Sequence, residues 1–226
     1  MLDNKTGREL QMHGEIPKRF IRIWVGPKPI PDQFEEWWEG FQTIHPTYEF
    51  HTVRDIEQLD IPSAIKPMIQ DVKTCAGLSD IGRLLALHQL GGVYVDTDIM
   101  PLKSFDELIK TDKVFIGKAS KKSFYSAVIG SPPNHEAIGK VIDKMPSWFY
   151  EHATKAASVQ TGPTFVTSVL FGRDDVLHLP METFYPYSCF MAPKRHEKEQ
   201  IFADRNFPDE MVAAHFGNHR WGGKPR

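Results

Sequence analysis

Cysteine is scarce in this 226-residue chain, which holds only Cys75 and Cys189. Two thiols make no disulfide framework, so the stapled small domains of the secretory route are excluded and a reduced, cytoplasmic setting is expected. Long apolar runs are missing too. No stretch approaches the roughly 20 residues of a spanning helix, and no integral membrane segment is expected. Positive charge is not in surplus: 27 Lys and Arg face 29 Asp and Glu, for a net charge of -2. Without a broad basic footprint, nucleic acid is not expected as a partner. Residues 1–15 lack the apolar core of a secretory signal and read as a flexible leader. Internal repeats and low-complexity tracts are absent, and nothing in the sequence reports on oligomeric state.

What is present suits a single domain over residues 16–226. A hydrophobic share of 41% is ordinary for a globular protein, and the chain is long enough for a full core. Phe20 to Val25 is β-rich and closes at Gly26-Pro27. Phe34, Trp37, Trp38 and Phe41 recur at helical spacing. Tyr48 to Val53 reads as a second strand, Leu78 to Leu90 as a helix stopped by Gly91, and Val93 to Asp96 as a buried central strand. Val114 to Gly117 and Ala127 to Gly130 follow as strands. Ser131-Pro132-Pro133-Asn134 opens a helix through Met145, and Thr161-Gly162-Pro163 opens another. Val176 to Leu179 and Met211 to His215 read as late strands. Strands alternating with helices predict an α/β fold on a mixed sheet.

The chemistry gathers where the central strand ends. Asp96 and Asp98 stand one residue apart after Gly91-Gly92-Val93-Tyr94-Val95. Two carboxylates so placed repel unless a cation lies between them, and Mn²⁺ or Mg²⁺ is the simplest such cation. A lone pair of loop acids is the bland alternative; the buried strand and double glycine count against it. Asp80 and Arg83 are three apart on one helix face. They make either an intrahelical ion pair or a grip on sugar hydroxyls and phosphate. Trp24 and Tyr94 are strand-end aromatics, placed to pack the rim or to meet a base and ribose. His215 is a natural third metal ligand beside two acids, and the Trp221 indole N–H could close over a phosphate.

Together these residues resemble the D-x-D sugar-transfer domain of family 32 glycosyltransferases, whose core recurs in clostridial glucosylating toxins. The family's opening, I-P-K-x-I-H-x-I-W-x-G, is similar to Ile16 through Gly26. Its signature S-D-x-x-R, helix, G-G-x-Y-x-D-x-D matches Ser79 to Asp98 without a gap. Its C-terminal H-x-x-x-x-S-W resembles His215 to Trp221. Phe20, Arg22 and Arg220 depart from the usual residues. The resemblance implies a single-domain GT-A fold, Rossmann-like with a mixed sheet flanked by helices. It implies a retaining, metal-dependent hexosyltransferase that takes a UDP- or GDP-sugar donor and a saccharide or protein acceptor. Asp80, Arg83, Asp96 and Asp98 are then the catalytic set. Trp24, Tyr94 and Trp221 bind the nucleotide together with Asp80, Arg83 and Asp96, and the metal lies on Asp96, Asp98 and His215.

Two rivals share parts of this pattern. A haloacid-dehalogenase-type phosphohydrolase also places D-x-D after an apolar strand, with Asp174-Asp175 as a later acidic pair. A metal-dependent carbohydrate-binding module would need the metal ligands but not Trp24, Asp80 and Arg83.

Overall fold

The computed structural model describes residues 14–187 and 193–217. Its elements run β1 (Arg19–Ile23), α1 (Asp32–Ile44), β2 (Glu49–Val53), α2 (Lys66–Asp71), α3 (Cys75–Leu90), β3 (Gly92–Val95) and β4 (Ile99–Pro101). Then come β5 (Val114–Ser120), β6 (Ser123–Ser131), α4 (Glu136–Glu151), α5 (Ala157–Gln160), α6 (Pro163–Leu170), β7 (Val176–Leu179), α7 (Arg195–Asp204) and β8 (Ala213–His215). Six strands form one sheet in the order β2-β1-β3-β6-β5-β7, and β4 pairs with β8 beside it. β1 is parallel to both β2 and β3, whereas β6 is antiparallel to β3 and β5. The predicted mixed sheet is thus present, with β3 inside it.

Period-two alternation explains the layers. Ile21 and Ile23 point from β1 into a core shared with Ile81, Leu84 and Leu85 of α3, Val141 of α4 and Phe165 of α6. Phe20 points the other way, toward Trp38 and Phe41 of α1 and Phe105. A third cluster joins Trp24, Phe34, Trp37, Phe202 and Phe216, so α7 and the chain after β8 close on α1. Every one of these side chains is buried.

The double glycine has a backbone reason. Gly92 has φ +109°, and a Cβ there would sit 2.7 Å from the Arg19 carbonyl oxygen. Only glycine lets β3 approach β1 this closely without strain. The approach matters because β1 and β3 run in parallel and end at the same edge. Trp24 leaves β1 there, and Asp96 leaves β3 there.

Several boundaries differ from those expected. α3 begins at Cys75, three residues early, because Thr74 caps it by accepting from the Gly77 N–H. Ser131 belongs to β6, and α4 starts only at Glu136, where the His135 ring accepts from the Ala137 N–H. α2, α7 and β4 were not expected. α2 is too short to show a period. α7 is strongly polar, with Lys198 and Phe202 as its buried residues. β4 exists as a strand through its pairing with β8.

Candidate active site

The carboxyl edge of β1 and β3 opens into a cleft of about 660 Å³, a size suited to a small-molecule ligand. Trp24, Asp80, Arg83, Tyr94, Asp96, Asp98 and His215 all line it. These are all the expected site residues except Trp221, which lies outside the described residues, as does Arg220.

Asp96 and Asp98 sit in the turn that joins β3 to β4. The Asp96 N–H donates to the Ala127 carbonyl at 2.7 Å, and the Ile99 N–H to the Asp96 carbonyl at 3.1 Å, so the turn is fixed on both sides. The β4–β8 pairing then places Ile99 opposite His215. As a result His215 Nε2 comes within 3.3 Å of Asp98 Oδ1. Ligand atoms of Asp96, Asp98 and His215 lie within 4.8 Å of one another. Two carboxylate oxygens and an imidazole nitrogen are a donor set that fits Mn²⁺ and, less well, Mg²⁺.

Electrostatics favour a cation at this place. Burial pushes the Asp96 carboxyl above its ordinary range; Arg83 pulls it back, and Asp98 pushes it up again. For His215 burial disfavours the charged form, but attraction from Asp98 and Asp96 outweighs it, so its pKa is raised. The triad therefore holds excess negative charge that a proton or a metal ion relieves.

Arg83 ties this triad to α3. Its Nη2 lies 2.9 Å from Asp80 Oδ1 and 3.3 Å from Asp96 Oδ1. Its Nη1 donates to the Ser126 hydroxyl at 3.0 Å and to the Ser126 carbonyl. Its guanidinium lies 4.6 Å from the Tyr94 ring centroid. The intrahelical ion pair and the pocket-facing pair are thus one arrangement. Asp80 is buried, and desolvation holds its carboxyl up at about 6 although Arg83 opposes this. Tyr94 supports the site from below, because its hydroxyl donates to Asp96 Oδ1 at 2.5 Å.

Trp24 is held by its indole N–H, which donates to the Lys28 carbonyl at 2.7 Å, so the ring at the cleft is pre-set. The departure at Arg22 lies elsewhere. That side chain reaches Glu35 at 2.6 Å and Thr52 at 2.9 Å, stacks on Trp38, and does not line the cleft. Sequence reasoning missed Ser126 and Thr161, whose contacts with Arg83 and Asp80 span 43 and 81 residues. No local pattern announces contacts that distant.

The phosphohydrolase rival loses its second acidic pair. The Val114 N–H donates to the Asp175 carbonyl where β5 and β7 begin. β5 runs with β3, so Asp174 and Asp175 stand at the edge opposite Asp96. Asp175 is also paired with Arg173 at 2.7 Å. Among the described residues, no helix is long and apolar enough to cross a membrane.

Comparison with known proteins agrees with the geometry. Residues 31–115 match the family described as the glycosyltransferase sugar-binding region containing a DXD motif. Glucan organizing enzyme 1 of Cryptococcus neoformans var. grubii is 30% identical over 131 residues, 56% of this chain and 33% of that protein. The initiation-specific alpha-1,6-mannosyltransferase of Candida albicans is 25% identical over 131 residues, 52% of this chain and 33% of that protein. The match thus spans about a third of either relative's length. Among solved structures, the PaToxG glycosyltransferase superposes with a TM-score of 0.60 at 22% identity, covering 70% of each chain. The fold is GT-A.

Proposed function

Starting from a GT-A fold whose residues 31–115 carry the DXD sugar-binding region of glycosyltransferases, we propose that this protein transfers a hexose from a nucleoside-diphosphate sugar to a saccharide or protein hydroxyl. The observation that carries this reading is the junction of two groups in one cleft. The Asp96–Asp98–His215 triad fits a divalent cation, and the Asp80–Arg83 pair sits beside it through the shared contact with Asp96. A sugar-binding module needs no such junction, but a transferase that must release a diphosphate does.

Asp96, Asp98 and His215 would hold Mn²⁺ or Mg²⁺, which when bound neutralises charge on the departing diphosphate. Trp24 offers a fixed aromatic face to the nucleoside base. Asp80 has two oxygens facing donors of the protein and spare lone pairs for sugar hydroxyls. Arg83 adds a full positive charge in a buried setting, where charge that develops in the transition state is stabilised most. Trp221 belongs to this proposal on the strength of the resemblance. So does a donor carried as a UDP- or GDP-sugar.

Retention of anomeric configuration is part of the reading. Among the described residues, the acids that line the cleft are Asp80, Asp96 and Asp98. Asp80 is committed to Arg83 and Thr161, and the other two to the cation site. Among the described residues, no carboxylate in the cleft is left over as a nucleophile for double displacement or as a general base for in-line attack, which favours attack of the acceptor from the face the diphosphate leaves.

A hydrolysis panel tests the proposal. Purified protein with UDP-glucose, UDP-galactose, UDP-N-acetylhexosamine or GDP-mannose should release sugar from at least one donor with Mn²⁺ present, and should stop with EDTA. Release from none of them, with the metal at saturating concentration, contradicts it.

A further inference from the structure

Thr161 belongs to no part of the D-x-D signature, yet its side chain touches the site. It is buried at 1% exposure, and its hydroxyl lies 3.0 Å from Asp80 Oδ2. The hydroxyl has a rival acceptor in the Ala157 carbonyl at 3.3 Å. That carbonyl already accepts the N–H groups of Thr161 at 2.9 Å and Gly162 at 3.0 Å. The single hydroxyl proton therefore goes to the nearer, charged oxygen.

The segment that presents Thr161 is anchored from behind. The Trp148 indole donates to the Val159 carbonyl at 2.8 Å, and the Gln160 amide to the Ala153 carbonyl at 2.7 Å. It also presses closely on its target. A Cβ added at Gly162 would stand 2.9 Å from the Ser158 Cα and 3.1 Å from Asp80 Oδ2. Asp80 is thus held between Arg83 on its own helix and a hydroxyl 81 residues later in the chain.

We propose that Thr161 is a positioning residue for the donor sugar: its hydroxyl fixes the rotation of the Asp80 carboxylate, and so favours the sugar nucleotide over the bare nucleoside diphosphate. The inference rests on the transferase reading above. Arg83 alone restrains the carboxylate through Oδ1 at 2.9 Å; turning about the Cβ–Cγ bond moves both oxygens, so a contact at one of them sets the plane only loosely. The Thr161 hydroxyl removes that looseness, and orientation of a charged acceptor toward sugar hydroxyls depends on it. The base and diphosphate, which meet Trp24 and the cation triad, do not depend on it.

Thr161→Val keeps the shape and removes the donor, Thr161→Ala removes both, and Thr161→Ser keeps the donor. With the donor that the parent turns over best, Thr161→Val and Thr161→Ala should raise KM about 10-fold, the worth of one hydrogen bond to a charged group. The Kd for UDP or GDP with Mn²⁺ should change by less than about 2-fold, because those ligands lack the sugar that Asp80 holds. Thr161→Ser should return KM to near the parent value, and Thr161→Val should add nothing on an Asp80→Asn background. Unchanged KM in both Thr161→Val and Thr161→Ala overturns the inference. So does equal weakening of sugar nucleotide and bare diphosphate, which marks a merely structural role. A parent that cleaves no sugar nucleotide overturns the transferase reading and this inference together; an active parent with indifferent Thr161 variants overturns this inference alone.

Discussion

Asp98→Asn should fold like the parent and lose about 10³-fold in sugar transfer, the scale of removing a preorganised charge from a reacting site. Asp98 is 2% exposed and faces His215 at 3.3 Å. Asparagine has the same shape, and its amide can donate to a neutral imidazole, so packing persists. What goes is the negative charge that draws a cation to the turn. Asp98 is also one of the charges that raise the Asp96 carboxyl, so the variant relieves repulsion even as it loses affinity for Mn²⁺. Thermal stability should therefore stay within about 1 kcal/mol of the parent. Transfer assays and Mn²⁺ titration by calorimetry check both halves. Near-parent transfer with intact metal binding contradicts the role given to Asp98.

Arg83→Met should be among the most damaging substitutions for stability as well as for activity. Arg83 is 6% exposed and is the counter-charge for both Asp80 and Asp96. Methionine fills much of the volume but leaves two carboxylates facing each other in a desolvated cleft. Breaking a buried pair from one side typically costs about 3–5 kcal/mol. The cost should depend on pH, with a definite sign. Desolvation already holds Asp80 up at about 6 in the parent, against an ordinary value of 3.8, while Arg83 pulls it down. Without Arg83 the folded-state pKa rises further. The native state then binds more protons than the unfolded chain over a wider range, so stability falls as pH rises from about 4 through the new folded value. Denaturant unfolding should show a large deficit against the parent at pH 7.5 and a smaller one at pH 5. A deficit that is equal at both values contradicts this account of the pair.

How much of this could be read from the sequence follows from how local each signal is. The turn of Asp96 and Asp98 was legible because a short apolar strand and Gly91-Gly92 mark it from neighbouring residues. Asp80 and Arg83 were legible as helix neighbours, and the structure makes them an ion pair that also lines the cleft. His215 was legible as a strand-end histidine and by resemblance, while the pairing that delivers it was not. β4 is three residues long and includes Pro101, and it becomes a strand through β8, more than 100 residues later. α7 was hidden by its polarity; its burial rests largely on Phe202, which meets Trp37 and Phe216 from other parts of the chain. Ser126 and Thr161 were invisible for the same reason. Each is an ordinary hydroxyl residue until the fold sets it against a charge.

Thermal unfolding in the presence of nucleotide and metal tests the central claim most directly. The claim is that one cation, held by Asp96, Asp98 and His215, joins a nucleoside diphosphate to this cleft. UDP or GDP at about 100 times its Kd should stabilise the protein by about 2.7 kcal/mol, or roughly 5–10 °C in Tm, when Mn²⁺ is present. Neither nucleotide alone nor Mn²⁺ alone should reach that shift, and EDTA should abolish it. Equal stabilisation by nucleotide in EDTA, or none under any condition, would contradict the account.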